Sequence, residues 1–263
     1  MTVPRLDPDL ARLLAVLDPR VVVDDLYSER GSEAYDAMTR GDGSEVREVL
    51  RIGRRTQGRI LELACGSGRL TLPLGRLGRE TFALDSSPRM LELLEENARR
   101  SGVRTIRPVL DDMSTFELGR TFGYIVLATT SITLLSVPAR RAMLETVRAH
   151  LAPDGVFLVS VHSTGTLPSG ETTRVVPVGG ESPDVVVLHE RADPTGGHRD
   201  VSVLRLRRDG ELPRIEAFAS RVHLLDERRL RAELDAAGLR VRETLRVRLT
   251  DQSRDLSMLE CVR

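Results

Sequence analysis

The run Leu61-Glu62-Leu63-Ala64-Cys65-Gly66-Ser67-Gly68-Arg69, followed by an apolar run Thr81-Phe82-Ala83-Leu84 that closes on Asp85, constrains this chain more than any other stretch. Ile60 to Leu63 reads as a strand. A glycine-spaced turn between that strand and a helix lets backbone approach a ligand closely at the strand's carboxyl end. Asp85 stands nineteen residues after Gly66, a spacing at which a carboxylate accepts both hydroxyls of a bound ribose. Together they describe a nucleoside site.

What is missing narrows the nucleoside. A dinucleotide fingerprint needs a third glycine three residues after the second, to pack helix on strand beneath a pyrophosphate; here that position is Thr71. No Gly-Lys-Ser/Thr follows, which excludes a phosphate-cradling P-loop. The acid inside the strand (Glu62), the Gly66-Ser67-Gly68 turn and Asp85 resemble motifs I and II of class I S-adenosylmethionine-dependent methyltransferases. The resemblance covers residues ~35 to 162 well and the last ~40 in outline.

The resemblance implies a site. Glu62 and the backbone around Ala64, Gly66, Ser67 and Gly68 would hold the amino-acid end of S-adenosyl-L-methionine, and Asp85 with Ser86 the ribose. Asp112 and Met113 match the pair that reads adenine, a carboxylate accepting from the exocyclic amine while a thioether packs on the ring; a turn role for Asp111-Asp112 is the plainer alternative. Met90, which reads equally as core, and Ala128 complete the set. One departure stands out: Phe122-Gly123-Tyr124 puts glycine where the family usually has an aspartate before its fourth strand. The Asn/Asp-Pro-Pro-aromatic motif of enzymes that methylate exocyclic base amines is absent from Ala128 to Ser131.

Elements alternate as strand and helix through the first 160 residues, as in a parallel sheet covered on both faces. After Asp85, Ser87 reads as a helix cap, Pro88 as the first helical residue, Leu91, Leu94 and Ala98 as one face, and Gly102 as the stop. Pro138 opens another helix, and Leu151-Ala152-Pro153-Asp154-Gly155 reads as a turn into strand Val156 to Val161. Beyond His162 the pattern changes to strands at Thr172 to Val176, Val185 to Ala192, Val201 to Arg208 and Arg214 to Leu224, the last two alternating as half-solvated antiparallel strands do. Asp193-Pro194-Thr195-Gly196-Gly197 is a hairpin turn by chemistry. A helix capped by Asp226 and stopped at Gly238 precedes strands at Leu239 to Leu249 and Leu256 to Val262. The expected fold is α/β, a Rossmann-like, mostly parallel seven-stranded sheet with an inserted antiparallel β lid. Its parts are a helical N-terminal segment at 1–50, a cofactor-binding core at 51–162, the lid at 163–224 and a closing helix with edge strands at 225–263.

Composition excludes several partners. Of 263 residues, 39 are basic and 39 acidic, and no block of like charge advertises nucleic acid or an anionic membrane. Two cysteines, Cys65 and Cys261, give no disulfide or metal framework. Arg5, Asp7, Asp9 and Arg12 precede any long apolar stretch, and no run reaches the ~18 apolar residues of a membrane span, so the expectation is a cytoplasmic protein.

The acceptor is sought outside the core. Tyr27 and the pair Tyr35-Asp36 resemble the N-terminal segment of small-amine N-methyltransferases, a subfamily that also carries an antiparallel insert after its fifth strand; there the segment folds over the cofactor. His162 closes strand five, the edge where ligands bind in such sheets, and is a candidate proton acceptor with Tyr27 as its catalytic companion. His189, His198 and His223 fall in the lid or its roots, and no cluster has metal spacing. The expected activity is methyl transfer to an amine of a small molecule or peptide. More narrowly, Asp25-Leu26-Tyr27, Tyr35-Asp36, Ser44-Glu45-Val46-Arg47-Glu48 and Leu61 to Pro73 look like the methyltransferases of daptide biosynthesis, which dimethylate a C-terminal amine of a ribosomally made peptide. An O-methyltransferase and a binding protein without turnover remain the alternatives.

Overall fold

The computed structural model describes residues 6–39, 41–165, 167, 169–178, 184–193, 195–209, 212–248 and 255–263. Along the chain come α1 (Pro8–Leu17), β1 (Val23–Asp25), α2 (Glu29–Thr39), α3 (Val46–Arg55), β2 (Ile60–Leu63), α4 (Thr71–Gly75) and β3 (Thr81–Asp85). Next are α5 (Pro88–Arg100), β4 (Ile106–Leu110), β5 (Phe122–Leu127), α6 (Val137–His150) and β6 (Leu151–His162). The series ends with β7 (Gly170–Val178), β8 (Asp184–Asp193), β9 (His198–Asp209), β10 (Leu212–His223), α7 (Glu227–Ala236), β11 (Arg240–Arg248) and β12 (Asp255–Val262). The chain divides into two compact units, residues 42–167 with 225–263, and residues 1–41 with 168–224.

The first of these holds a seven-stranded sheet in the order β11-β12-β6-β5-β2-β3-β4. The pairs from β6 across to β4 are parallel, and β12 runs against both β6 and β11. Continuous apolar strands demand cover on both faces. Met143, Leu144 and Val147 of α6 and Leu230 and Leu234 of α7 pack with Leu61, Leu63, Ile125 and Phe157 on one side. Val49 and Ile52 of α3 and Leu74 of α4 pack with Ile60, Tyr124 and Leu158 on the other. α5 begins where its signals put it: Ser87 caps Met90 N, Pro88 opens the helix, Leu91, Leu94 and Ala98 are buried, and Gly102 follows at φ 66°.

One local expectation changes here. Residues 151–155 are part of β6 and not a separate turn: Leu151 pairs with Phe122 and Val156 with Tyr124, so the intervening residues bulge out of the ladder. The glycine that replaces the family's aspartate also has a physical reason, because a Cβ at Gly123 would collide with the Gln57 carbonyl.

The other unit is a five-stranded sheet, β1-β10-β9-β8-β7, antiparallel except where β1 joins β10 in parallel. Its strands run longer than their apolar cores suggested. The N-terminal segment expected to be helical also contains a strand, since Val23 to Asp25 complete their backbone bonds on β10 and Leu26 N donates to Ala219 O at 3.1 Å. Leu6, Leu10 and Leu14 pack α1 onto Leu204, Ala217 and Ala219. Pro194 of the expected hairpin turn and Leu249 at the end of an expected strand lie outside the described residues.

Candidate functional site

Strand order reverses between β2 and β5, which are neighbours while their successors β3 and β6 lie on opposite sides. At such a reversal the loops diverge and leave a crevice beyond the strands' carboxyl ends. Ile60 pairs with Tyr124 and Glu62 with Val126, so the register continued two residues brings Ala64 level with Ala128.

Backbone strain gathers at this crevice. Ala64 has φ 51°, and Thr129 and Thr130 both have φ 55°. For residues with a Cβ, and above all β-branched ones, that left-handed region costs about 1–3 kcal/mol each and persists only where surrounding bonds hold it. Glu45, itself at φ 65°, supplies such a bond: its two carboxylate oxygens accept from Thr129 N at 3.2 and 3.0 Å. Ser160 Oγ accepts from Thr130 N at 3.0 Å. Burial raises the Glu45 carboxyl above the usual range, opposed by Ser160, Arg69 and the Thr129 N–H.

The β2 loop is built from its side chains. Glu62 is buried and accepts from Thr71 Oγ1 at 2.6 Å. Desolvation pushes its carboxyl up to about 8, against the pull of Thr71 and Arg69. Asp85 accepts from Gly66 N at 2.8 Å and from Ser87 N at 2.9 Å, which fastens the loop to the end of β3; burial raises this carboxyl as well, opposed by those same amides and that of Ser86. Ser67 O accepts from Asn97 Nδ2 at 3.0 Å, tying the turn to α5. The two glycines differ in purpose. A Cβ at Gly68 (φ 100°) would strike Leu94 Cδ1, so that glycine serves helix packing. At Gly66 (φ 53°) a Cβ meets only Met90 Sδ, at 3.9 Å, leaving room for a ligand to approach the backbone.

The other expected residues are placed as follows. Met90 is buried, and Met113 is half-buried against the main core. Asp112 Oδ1 accepts from Ser114 N at 2.7 Å and from Ser114 Oγ at 2.6 Å, the turn role that was its plainer alternative. Ala128 is buried and its carbonyl accepts from Thr129 Oγ1 at 2.7 Å. His162 is buried at the end of β6, two residues after Ser160 and therefore on the same strand face. Tyr27 and Tyr35 belong to the five-stranded unit, where their rings lie 5.7 Å apart. Glu45 and Ser160 were not singled out as site residues from sequence, because no pattern announces positive φ at glutamate or threonine. Arg69 stood within the motif but carried no role. It donates to Ser44 O at 2.6 Å and Asp42 O at 3.2 Å, while its buried Nη2 lies 3.5 Å from Glu45 Oε2 without a hydrogen bond among the described residues.

These features fit a nucleoside cofactor with an amino-acid end: a backbone loop open at Gly66, a buried carboxylate and the half-buried Arg69 guanidinium near it. Residues 60–155 match the family model for a methyltransferase domain. The glycopeptide N-methyltransferase MtfA, solved with S-adenosyl-L-homocysteine, superposes with a TM-score of 0.65 at 28% identity over 98% of this chain and 99% of that one. Among curated proteins, the cypemycin N-terminal methyltransferase of Streptomyces sp is 26% identical over 178 residues, 65% of this chain and 71% of that protein. A 23S rRNA (uracil(1939)-C(5))-methyltransferase of Aeromonas salmonicida is 35% identical over 112 residues, 41% of this chain. The chain spans less than two thirds of the length of the first curated relatives it matches, 24% in that case. Fold and domain are those of a Rossmann-like S-adenosylmethionine-dependent methyltransferase. MtfA has also been solved with S-adenosyl-L-methionine, the cofactor to which the loop and carboxylates described above are suited.

Proposed function

We propose that this chain transfers a methyl group from S-adenosyl-L-methionine to a nitrogen of a small-molecule or peptide amine. The observation that carries the reading is the likeness to a glycopeptide N-methyltransferase along 98% of the chain, well beyond the domain core. The cypemycin N-terminal methyltransferase supports it. The bound cofactor supplies an activated methyl on a sulfonium, so the protein's own task is to align a neutral lone pair and exclude water. Glu62 and the loop from Ala64 to Gly68 hold the amino-acid end, Asp85 the ribose, and Asp112 with Met113 the adenine. His162, buried where β6 ends, is proposed to take up the proton of the acceptor, with Tyr27 a further residue acting on it. The antiparallel insert at 163–224 is proposed to serve as the lid.

A narrower proposal follows from the likeness of the Tyr27 to Asp36 and Ser44 to Glu48 runs to daptide methyltransferases: dimethylation of the C-terminal amine of a ribosomally made peptide. Mass spectrometry after incubation with S-adenosyl-L-methionine and a panel of peptide amines, amino sugars and phenols decides between classes. Gains of one and two methyl groups on amines support the proposal; transfer confined to oxygen, or none with tight cofactor binding, refutes it.

A further inference from the structure

Three of the four non-glycine residues with positive φ among those described, Glu45, Thr129 and Thr130, are joined by hydrogen bonds at one place. Two successive β-branched residues in the left-handed region form a strained turn, closed by Ser131 N on Ala128 O at 3.1 Å, whose own two amides are left to find partners elsewhere. Here its N–H groups go outward, that of Thr129 to both Glu45 oxygens and that of Thr130 to Ser160 Oγ, and Ser160 also hydrogen-bonds the Glu45 carboxyl. Glu45 is 2% exposed and Ser160 fully buried. Keeping a carboxylate out of water is costly unless it is paired and hydrogen-bonded. Arg69 is the neighbouring cation, but at 3.5 Å its contact is longer than the 3.0 Å bond from Thr129 N. The turn is therefore the closer partner of this carboxylate.

The position of the turn gives it consequence. It follows β5 directly across the strand-order reversal from Ala64, so it walls the crevice on the side facing the glycine loop. We propose that Glu45 is a positioning residue for methyl transfer: with Ser160 it holds the Thr129–Thr130 turn in its left-handed form and thereby sets the wall against which the cofactor is placed. The proposal rests on the methyltransferase reading and adds a residue to it.

The test uses S-adenosyl-L-homocysteine as probe, by calorimetry, with thermal melts confirming that each variant is folded. Glu45→Ala weakens binding about tenfold or more, the scale for a lost hydrogen bond to a charged group. Adding Thr129→Gly and Thr130→Gly to Glu45→Ala returns affinity to within about fivefold of the parent, because glycine adopts positive φ without a clamp and loses only its own entropy. Glycines in this turn relieve its strain and raise stability whatever Glu45 does, so recovery of probe affinity, and not of the melting temperature, is the reading that a merely structural role would not move. Unchanged affinity in Glu45→Ala overturns the inference, and so does a loss that the glycines fail to restore. Should Glu45→Ala not fold, Ser160→Ala takes its place, with a loss of about threefold or more that the same glycines repair; no loss there overturns it equally. Failure of the parent itself to bind the probe counts against the cofactor assignment and leaves the inference no site to act on, which also overturns it.

Discussion

Glu62 carries a carboxyl whose surroundings strongly favour the proton. Burial raises its carboxyl from 4.5 to about 8, so the folded protein holds the proton more tightly than the unfolded chain. The associated stability is fully present below the unfolded value and is lost as pH rises through the folded one. Glu62→Gln keeps an acceptor for Thr71 Oγ1 and cannot ionise, so its melting temperature relative to the parent should climb between about pH 5 and about pH 9. A flat difference sinks the assignment. The cationic amino group of the cofactor favours the ionised form. Binding near pH 7 should then release a proton from the parent but not from Glu62→Gln, read as a dependence of calorimetric heat on the buffer's ionisation enthalpy. At Asp85 the carboxylate already accepts the Gly66 and Ser87 amides. Asp85→Ala should therefore lower the melting temperature and also weaken S-adenosyl-L-methionine by about 1.5–3 kcal/mol; full affinity in a folded variant removes Asp85 from the site.

At the scale of elements, local chemistry wrote some boundaries and left others blank. The start and stop of α5 were legible because Ser87, Pro88 and Gly102 each act within one turn of their own position. β1 was not legible, since a three-residue strand is stabilised by β10 nearly two hundred residues away and has no period of its own. The bulge in β6 was hidden for the same reason: Pro153-Asp154-Gly155 has turn chemistry, and only pairing of Leu151 with Phe122 draws it into the ladder. In the site, Glu62, Gly66, Gly68 and Asp85 were visible as a motif, whereas Glu45 owes its place to a contact with Thr129, 84 residues on. The motif's glycines now separate by experiment. Gly68→Ala drives a Cβ into Leu94 at φ 100° and should cost about 2–4 kcal/mol in denaturant unfolding. Gly66→Ala, open on that side, should cost about 1 kcal/mol of stability while weakening the cofactor more than Gly68→Ala does in proportion. Equal stability losses contradict this division of labour.

At the scale of the whole molecule, the proposed methyl transfer turns on the electronic state of the acceptor. No helix among the described residues is long and apolar enough to cross a membrane, and no group of three His, Cys, Asp or Glu among them is placed to hold a metal ion. An alkyl amine with a pKa near 10 is mostly protonated at neutral pH, and only its free base carries a lone pair for attack on the methyl. The single-turnover rate should therefore rise with pH until the bound amine is mostly neutral. If His162 takes up that proton, His162→Ala should lose most of its rate near pH 7 and recover as hydroxide and solvent assume the task at higher pH. An oxygen acceptor dependent on His162 as its base would lose rate throughout the range. A primary amine should also accept a second methyl, because proton loss after the first transfer restores a lone pair, while an alcohol stops at one. Quenched-flow rates from about pH 6 to about pH 10, with products counted by mass, therefore read out the acceptor atom and the role of His162 together; a pH-independent rate with a single methyl on oxygen would end the amine proposal.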